Sequence, residues 1–196
     1  MAQAKQSEDA QLARRIVERL GRRNLVLVGM MGAGKTSVGR RLASVLGLPF
    51  VDADSEIEAA ANMSISEIFE IYGEEHFRDG ERRVIARLLA DGPKVVATGG
   101  GAFMSAETRE RIADSGISIW LKAELPVLVD RVRSRGKRPL LHYPDREGVM
   151  RDLLARREPI YALADITVES WDAAQRVIAQ QALHALDAWL YREAAQ

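Results

Sequence analysis

The 196-residue chain carries 28 Lys plus Arg against 28 Asp plus Glu, with 47% apolar residues, 29% charged residues and no cysteine. That length suits one domain with a packed core, the charge balance argues against a protein that coats nucleic acid or an anionic membrane, and the lack of cysteine excludes a disulfide framework, thiolate metal sites and thiol catalysis. No apolar run approaches the ~20 residues that span a bilayer, and the opening MAQAKQSEDAQ lacks the apolar segment of a secretory signal, so a cytoplasmic protein is expected.

Residues 1–6 read as a frayed tail. From Ser7 to Leu20 the apolar residues Leu12, Ile16, Val17 and Leu20 recur at helical spacing, with Gly21 as the stop. Residues 1–23 are therefore expected to form a helical arm, packed by its apolar side on a single domain of residues 24–196, and deletion of the arm is expected to leave the chemistry intact. Beyond it, short valine- and isoleucine-rich runs at Leu25–Val28, Pro49–Asp52, Lys94–Ala97, Ile117–Leu121 and Ile166–Val168 read as buried strands. Between them Lys35–Leu46, Glu74–Ala90, Ala106–Ser115, Leu125–Arg133 and Gly148–Tyr161 read as helices, and a last helix from about Asp172 to Tyr191 closes the core. This alternation predicts an α/β fold with a parallel sheet covered on both faces. Two excursions interrupt it. Residues 53–73 hold two short helices, the second opened by a capping box from Ser64 to Glu67. Residues 134–147, SRGKRPLLHYPDRE, are polar, Pro-containing and aperiodic, as a flap would be.

The strongest local signal is Gly29-Met30-Met31-Gly32-Ala33-Gly34-Lys35-Thr36, a full match to the phosphate-loop pattern between a strand and a helix. Glycines let backbone N–H groups curl around an anion, and the following helix points its positive end at the same place. Gly32, Ala33, Gly34, Lys35, Thr36 and Ser37 are the candidate nucleotide contacts. Lys35 supplies a cation to the outer phosphates, and the Thr36 hydroxyl suits Mg²⁺. No Asn-Lys-x-Asp stretch of a guanine-nucleotide switch is present, and the strand at 94–97 runs into Thr98-Gly99-Gly100-Gly101 rather than into acids. The acids follow the second strand instead, as Asp52 and Asp54. Extended residues two apart point the same way, so both are expected to face the strand's carboxyl end, where one can hold Mg²⁺ through water while the other faces an acceptor hydroxyl. A helix N-cap is the plainer role for the pair, and the two roles are compatible.

The succession GMMGAGKT, DADSEIE, FRDGE, TGGGA, RPLL and RREPIY, in this order over roughly residues 24–170, resembles the shikimate kinase family. The resemblance implies a three-layer P-loop kinase fold of the nucleoside monophosphate kinase type. Its five-stranded parallel sheet would be flanked by helices, with a substrate-binding region at about 53–90 and a lid at about 134–147. It further implies transfer of the ATP γ-phosphoryl group to the 3-hydroxyl of shikimate, with Mg²⁺; a monomer is expected. Shikimate would then lie against Asp54, Arg78, Gly99, Gly100, Gly101 and Arg157. Guanidinium forks suit a carboxylate, although ion pairs of Arg78 with Glu81 or of Arg157 with Glu158 are the plainer alternative. Arg138 matches the family's lid arginine and would stabilise charge on the transferring group.

Adenine contacts stay open among Arg131, Arg133 and Arg135. The stretch Ser170-Trp171-Asp172-Ala173 lacks the Arg or Gln that the family places before the last helix, leaving Trp171 to stack on the base or to pack. His76, His142 and His184 share no metal-ligand spacing. Two rivals remain: a related kinase for gluconate or a nucleoside monophosphate, and a nucleotide-binding switch without an acceptor.

Overall fold

A computed structural model describes residues 2–133 and 145–195. Five strands, β1 (Asn24–Val28), β2 (Phe50–Asp52), β3 (Val95–Ala97), β4 (Gly116–Lys122) and β5 (Ile166–Glu169), form one sheet in the order β2-β3-β1-β4-β5. Every pairing is parallel. β1, with the sequence NLVLV, is buried along its whole length, as expected of a central strand with helices on both faces.

The helices are α1 (Ala2–Leu20), α2 (Lys35–Leu46), α3 (Ala53–Ala61), α4 (Ile65–Ala90), α5 (Ala106–Ser115), α6 (Leu125–Arg133), α7 (Arg146–Tyr161) and α8 (Gln175–Glu193). The connection from β1 leaves toward β2 and that from β3 leaves toward β4. The loops after these two neighbouring strands therefore part, and they leave a crevice at the carboxyl edge of the sheet.

Several elements start or stop for local reasons. Gly47 adopts a left-handed conformation (φ 66°) and its N–H caps the Ala43 carbonyl, which ends α2. The Ser64–Glu67 capping box starts α4 as expected, but the helix then breaks at Gly73 (φ 80°, ψ 175°), so the two predicted segments on either side of it form one kinked element. α1 starts at Ala2 rather than at Ser7.

Most buried apolar residues belong to one cluster around the sheet. A second, smaller cluster of Ile57, Ile68 and Phe77 lies between α3 and α4, closed by Met63, Ile65 and Phe69. The region that follows β2 thus has a small core of its own. α1 contributes Leu12, Ala13, Ile16 and Leu20 to the main cluster, with its apolar side against α2 and α8. Its ion pairs, Arg15 with Asp187 at 3.2 Å and the nearby Arg23 with Glu193 at 2.8 Å, are exposed and add little. Ile16→Ala is expected to lower the unfolding free energy by about 2–4 kcal/mol, the usual range for emptying a buried aliphatic site, with turnover per folded molecule unchanged. Urea unfolding together with active-site-normalised assays would check both halves of that statement.

Candidate active site

The turn after β1 is built by residues that tolerate left-handed backbone. Gly32 and Gly34 have φ of 82° and 94°, values that a side chain would strain. α2 begins immediately afterwards at Lys35, so its first N–H groups face the concavity. The Lys35 ammonium folds over the turn and donates to the carbonyls of Gly29 (2.8 Å) and Met30 (2.9 Å). It is nearly buried there, poised beside the place an anion would take. Ser37 follows in the same turn of α2, at the mouth of an exposed groove shared with Arg41 and Gln175.

Thr36 Oγ1 donates to Asp52 Oδ2 at 2.8 Å, which joins the start of α2 to the end of β2. Asp52 Oδ1 accepts from the Asp54 N–H at 3.1 Å and caps α3. Asp52 therefore takes the N-cap role with one oxygen while its other oxygen holds the Thr36 hydroxyl. Asp54 needs a correction. It lies in the first turn of α3 and not on the strand, because the Asp52 cap turns the chain helical at Ala53. The strand alternation invoked for it does not apply, yet both aspartates line one polar cleft with Gly32, Gly34, Lys35, Thr36, Thr98 and Gly100.

The turn after β3 forms the opposite wall. Thr98 ties it to β1, its N–H and Oγ1 both donating to the Leu27 carbonyl. A Cβ on Gly99 would stand 2.7 Å from Asp54 Oδ1 and 2.8 Å from Glu81 Oε1, and one on Gly101 would overlap the Arg78 guanidinium. The glycines are needed because charged side chains occupy the space that side chains of their own would fill. Arg78, on α4, donates to Glu81 at 2.8 Å and to Glu74 at 3.1 Å, so the ion pair with Glu81 is realised at the crevice itself. Burial works against the Arg78 cation, but Glu81 and Glu74 outweigh it and its pKa rises. Arg157, on α7, reaches across to donate to the Gly100 carbonyl at 3.1 Å. Glu158, its alternative partner, faces Lys122 instead.

Of the three arginines considered for the base, Arg131 donates to the Gly32 carbonyl, to Ser170 Oγ at 3.0 Å and to the Trp171 carbonyl, while Ser170 Oγ donates to the Ala33 carbonyl at 2.8 Å. Arg131 and the loop before α8 are thus bound to the rim of the phosphate loop, and the Trp171 ring is partly exposed beside them. Arg135, Arg138, His142 and nearly all of the expected lid lie outside the described residues. Among the described residues no three His, Cys, Asp or Glu side chains converge as a metal-binding group. A divalent ion here would depend on the Thr36–Asp52 pair.

Glu81 was foreseen only as an ion-pair partner. It is 3% exposed, and its Oε1 has no hydrogen-bond partner while Oε2 holds Arg78. Tyr161, wholly buried, donates its hydroxyl to the Gly100 carbonyl, the acceptor that Arg157 also uses. The available signals were helical offsets: Glu81 stands three residues after Arg78, and Tyr161 four after Arg157.

A family model described as shikimate kinase matches residues 31–187. The chain belongs to the shikimate kinase family. A family member from Bradyrhizobium diazoefficiens is 58% identical over 180 residues, covering 92% of this chain and 87% of the relative, and one from Brucella canis is 54% identical over 176 residues, covering 90% and 88%. Among solved structures, the shikimate kinase of Acinetobacter baumannii in complex with shikimate superposes with a TM-score of 0.81 at 40% identity, over 86% of this chain and 95% of that one. A gluconokinase from Sinorhizobium meliloti, at 19% identity and a TM-score of 0.58 over 89% and 97% of the two chains, shares the fold.

Burial raises the pKa of Glu81, and Asp54 adds to the effect against the opposing pull of Arg78. A carboxyl whose folded pKa lies above its unfolded value favours folding most at low pH, and that contribution fades as pH rises through the folded pKa. Glu81→Gln lacks this loss. Its melting temperature relative to wild type should therefore shift upward between pH 4.5 and pH 7.5, and a pH-independent difference between the two thermal unfolding series would contradict the assignment.

Proposed function

We propose that the protein transfers the γ-phosphoryl group of ATP to the 3-hydroxyl of shikimate, yielding shikimate 3-phosphate and ADP. One observation carries the reading: the phosphate loop and the acceptor pocket share the wall formed by Gly100. A Cβ at that residue would stand 3.4 Å from the Met31 amide nitrogen on one side and 3.6 Å from Arg157 Nη1 on the other. A triphosphate in the loop and a small carboxylic acid beside Arg157 would place phosphorus and hydroxyl within reach of each other, and such proximity is a large part of phosphoryl-transfer catalysis.

Each group has a role in this reading. Lys35 leaves the Gly29 and Met30 carbonyls for the β- and γ-phosphates, assisted by the N–H groups of Gly32, Ala33, Gly34, Thr36 and Ser37. The Thr36 hydroxyl and Asp52 carboxylate are hard oxygen donors on one side of the cleft, which fits Mg²⁺, an ion that takes few protein ligands and keeps water and phosphate oxygens. When bound, Mg²⁺ neutralises charge on the phosphates. Asp54 accepts the hydrogen bond of the attacking hydroxyl and aligns its oxygen on the γ-phosphorus as the bond to the ADP oxygen breaks. Arg78 and Arg157 grip the carboxylate, Gly99 and Gly101 leave room for the Asp54, Glu81 and Arg78 side chains that line the pocket, and Gly100 lets the ring approach the backbone. Arg138 closes over the phosphates. Arg131, bound to the phosphate-loop rim, is the residue we assign to the adenine side.

We take the acting unit to be a monomer. No helix among the described residues is long and apolar enough to cross a membrane, and we place the reaction in the cytoplasm.

An ADP-release assay offering shikimate, quinate, gluconate and nucleoside monophosphates in parallel tests the substrate, with selective turnover of shikimate expected. Equal turnover of gluconate, or ATP binding with no acceptor used, would overturn it in favour of a related kinase or a switch. Asp54→Asn is expected to lower kcat by at least ~10², the range for losing a positioned base. Near-normal turnover of that variant would remove Asp54 from the catalytic role.

A further inference from the structure

We infer that Tyr161 is a positioning residue of the acceptor pocket, its hydroxyl holding the Gly100 carbonyl in the orientation that anchors the Arg157 guanidinium and so fixing the plane in which Arg157 meets an anionic substrate. The inference rests on the reading that Arg157 grips the carboxylate. Tyr161 is fully buried, and it stands one helical turn beyond Arg157 on α7, so the two side chains share a face. Its ring stacks on Trp120 with centroids 6.0 Å apart and planes 26° from parallel. Its hydroxyl donates to the Gly100 carbonyl, the same oxygen to which Arg157 donates at 3.1 Å. Two side chains of one helix face thus meet at a single acceptor.

The directions at this carbonyl follow from elementary chemistry. A carbonyl oxygen has two lone pairs and no donor, so it takes the phenol proton on one side and a guanidinium N–H on the other. Burial pushes the phenol up to about 12, which keeps that proton in place across the working range. One edge of the guanidinium fork is thereby fixed before any substrate arrives. Arginine otherwise loses substantial rotamer freedom on binding, and prior immobilisation lowers that cost. The Gly100 carbonyl is a firm anchor, because its residue also abuts the phosphate loop at Met31. Packing on Trp120 asks only for an aromatic ring, which phenylalanine would supply equally well. The hydroxyl is the part that packing leaves unexplained.

Tyr161→Phe, Arg157→Ala, Arg157→Lys and the Phe/Ala double variant separate the possibilities. Tyr161→Phe is expected to raise the KM for shikimate roughly 3–10-fold, within the range for one neutral hydrogen bond. The KM for ATP should stay within about twofold and kcat at saturating shikimate within about threefold, since no phosphate contact is lost. The double variant should match Arg157→Ala alone, because the hydroxyl acts only through the guanidinium. Arg157→Lys, which keeps the charge but not the fork, should approach Arg157→Ala. An unchanged shikimate KM in Tyr161→Phe, or effects that multiply in the double variant, would overturn the inference while leaving Arg157 in the pocket. An unchanged KM in Arg157→Ala would overturn the role of Arg157 itself. Should Tyr161→Phe not fold, Arg157→Lys decides the matter, and a wild-type shikimate KM in that variant would show that a fixed fork is not needed.

Discussion

The parallel pairing of β1 with β3 is the constraint on which the active site depends. Leu25, Val26 and Leu27 stand opposite Val95, Val96 and Ala97, so the two strands end level and each runs directly into a glycine-rich turn. Strand spacing in a sheet is close to ~4.8 Å. Two turns that leave adjacent, level strands are therefore held a few ångströms apart whatever their sequences, and the Thr98 bonds to the Leu27 carbonyl secure the junction. A phosphate cradle built on one turn and an acceptor wall built on the other need no further device to bring two ligands together.

Charge in the crevice is arranged around this backbone frame. Lys35 sits over the β1 turn, and Arg78 and Arg157 against the β3 turn; Asp52, Asp54 and Glu81 are set among them. The acids are not equivalent. Asp52 is fully engaged by Thr36 and the cap of α3, whereas Glu81 is buried with one oxygen unpartnered. A buried half-satisfied carboxylate costs stability. It is retained where it holds Arg78 across the Gly99–Gly101 turn, the kind of local cost that functional sites carry.

Much of this was legible in the chain. The five strands fall where valine- and isoleucine-rich runs place them, and Lys35–Leu46, Ala106–Ser115 and Leu125–Arg133 keep both predicted ends, because capping residues and burial agree locally. The phosphate loop was plain from composition and spacing alone. Asp54 was less so: its residue type pointed to the cleft, but the strand reasoning that put it there failed once Asp52 capped a helix one residue earlier. Glu81 is legible as a partner of Arg78, three residues away, but its burial is not. Tyr161 is hidden for the same reason: its bond to Gly100 spans 61 residues of sequence, and no local periodicity encodes which polar residue the fold will bury.

The second cluster of Ile57, Ile68 and Phe77 gives the α3–α4 region a hydrophobic centre that shares little with the sheet. Sequence drift in that patch is therefore largely decoupled from the stability of the nucleotide half.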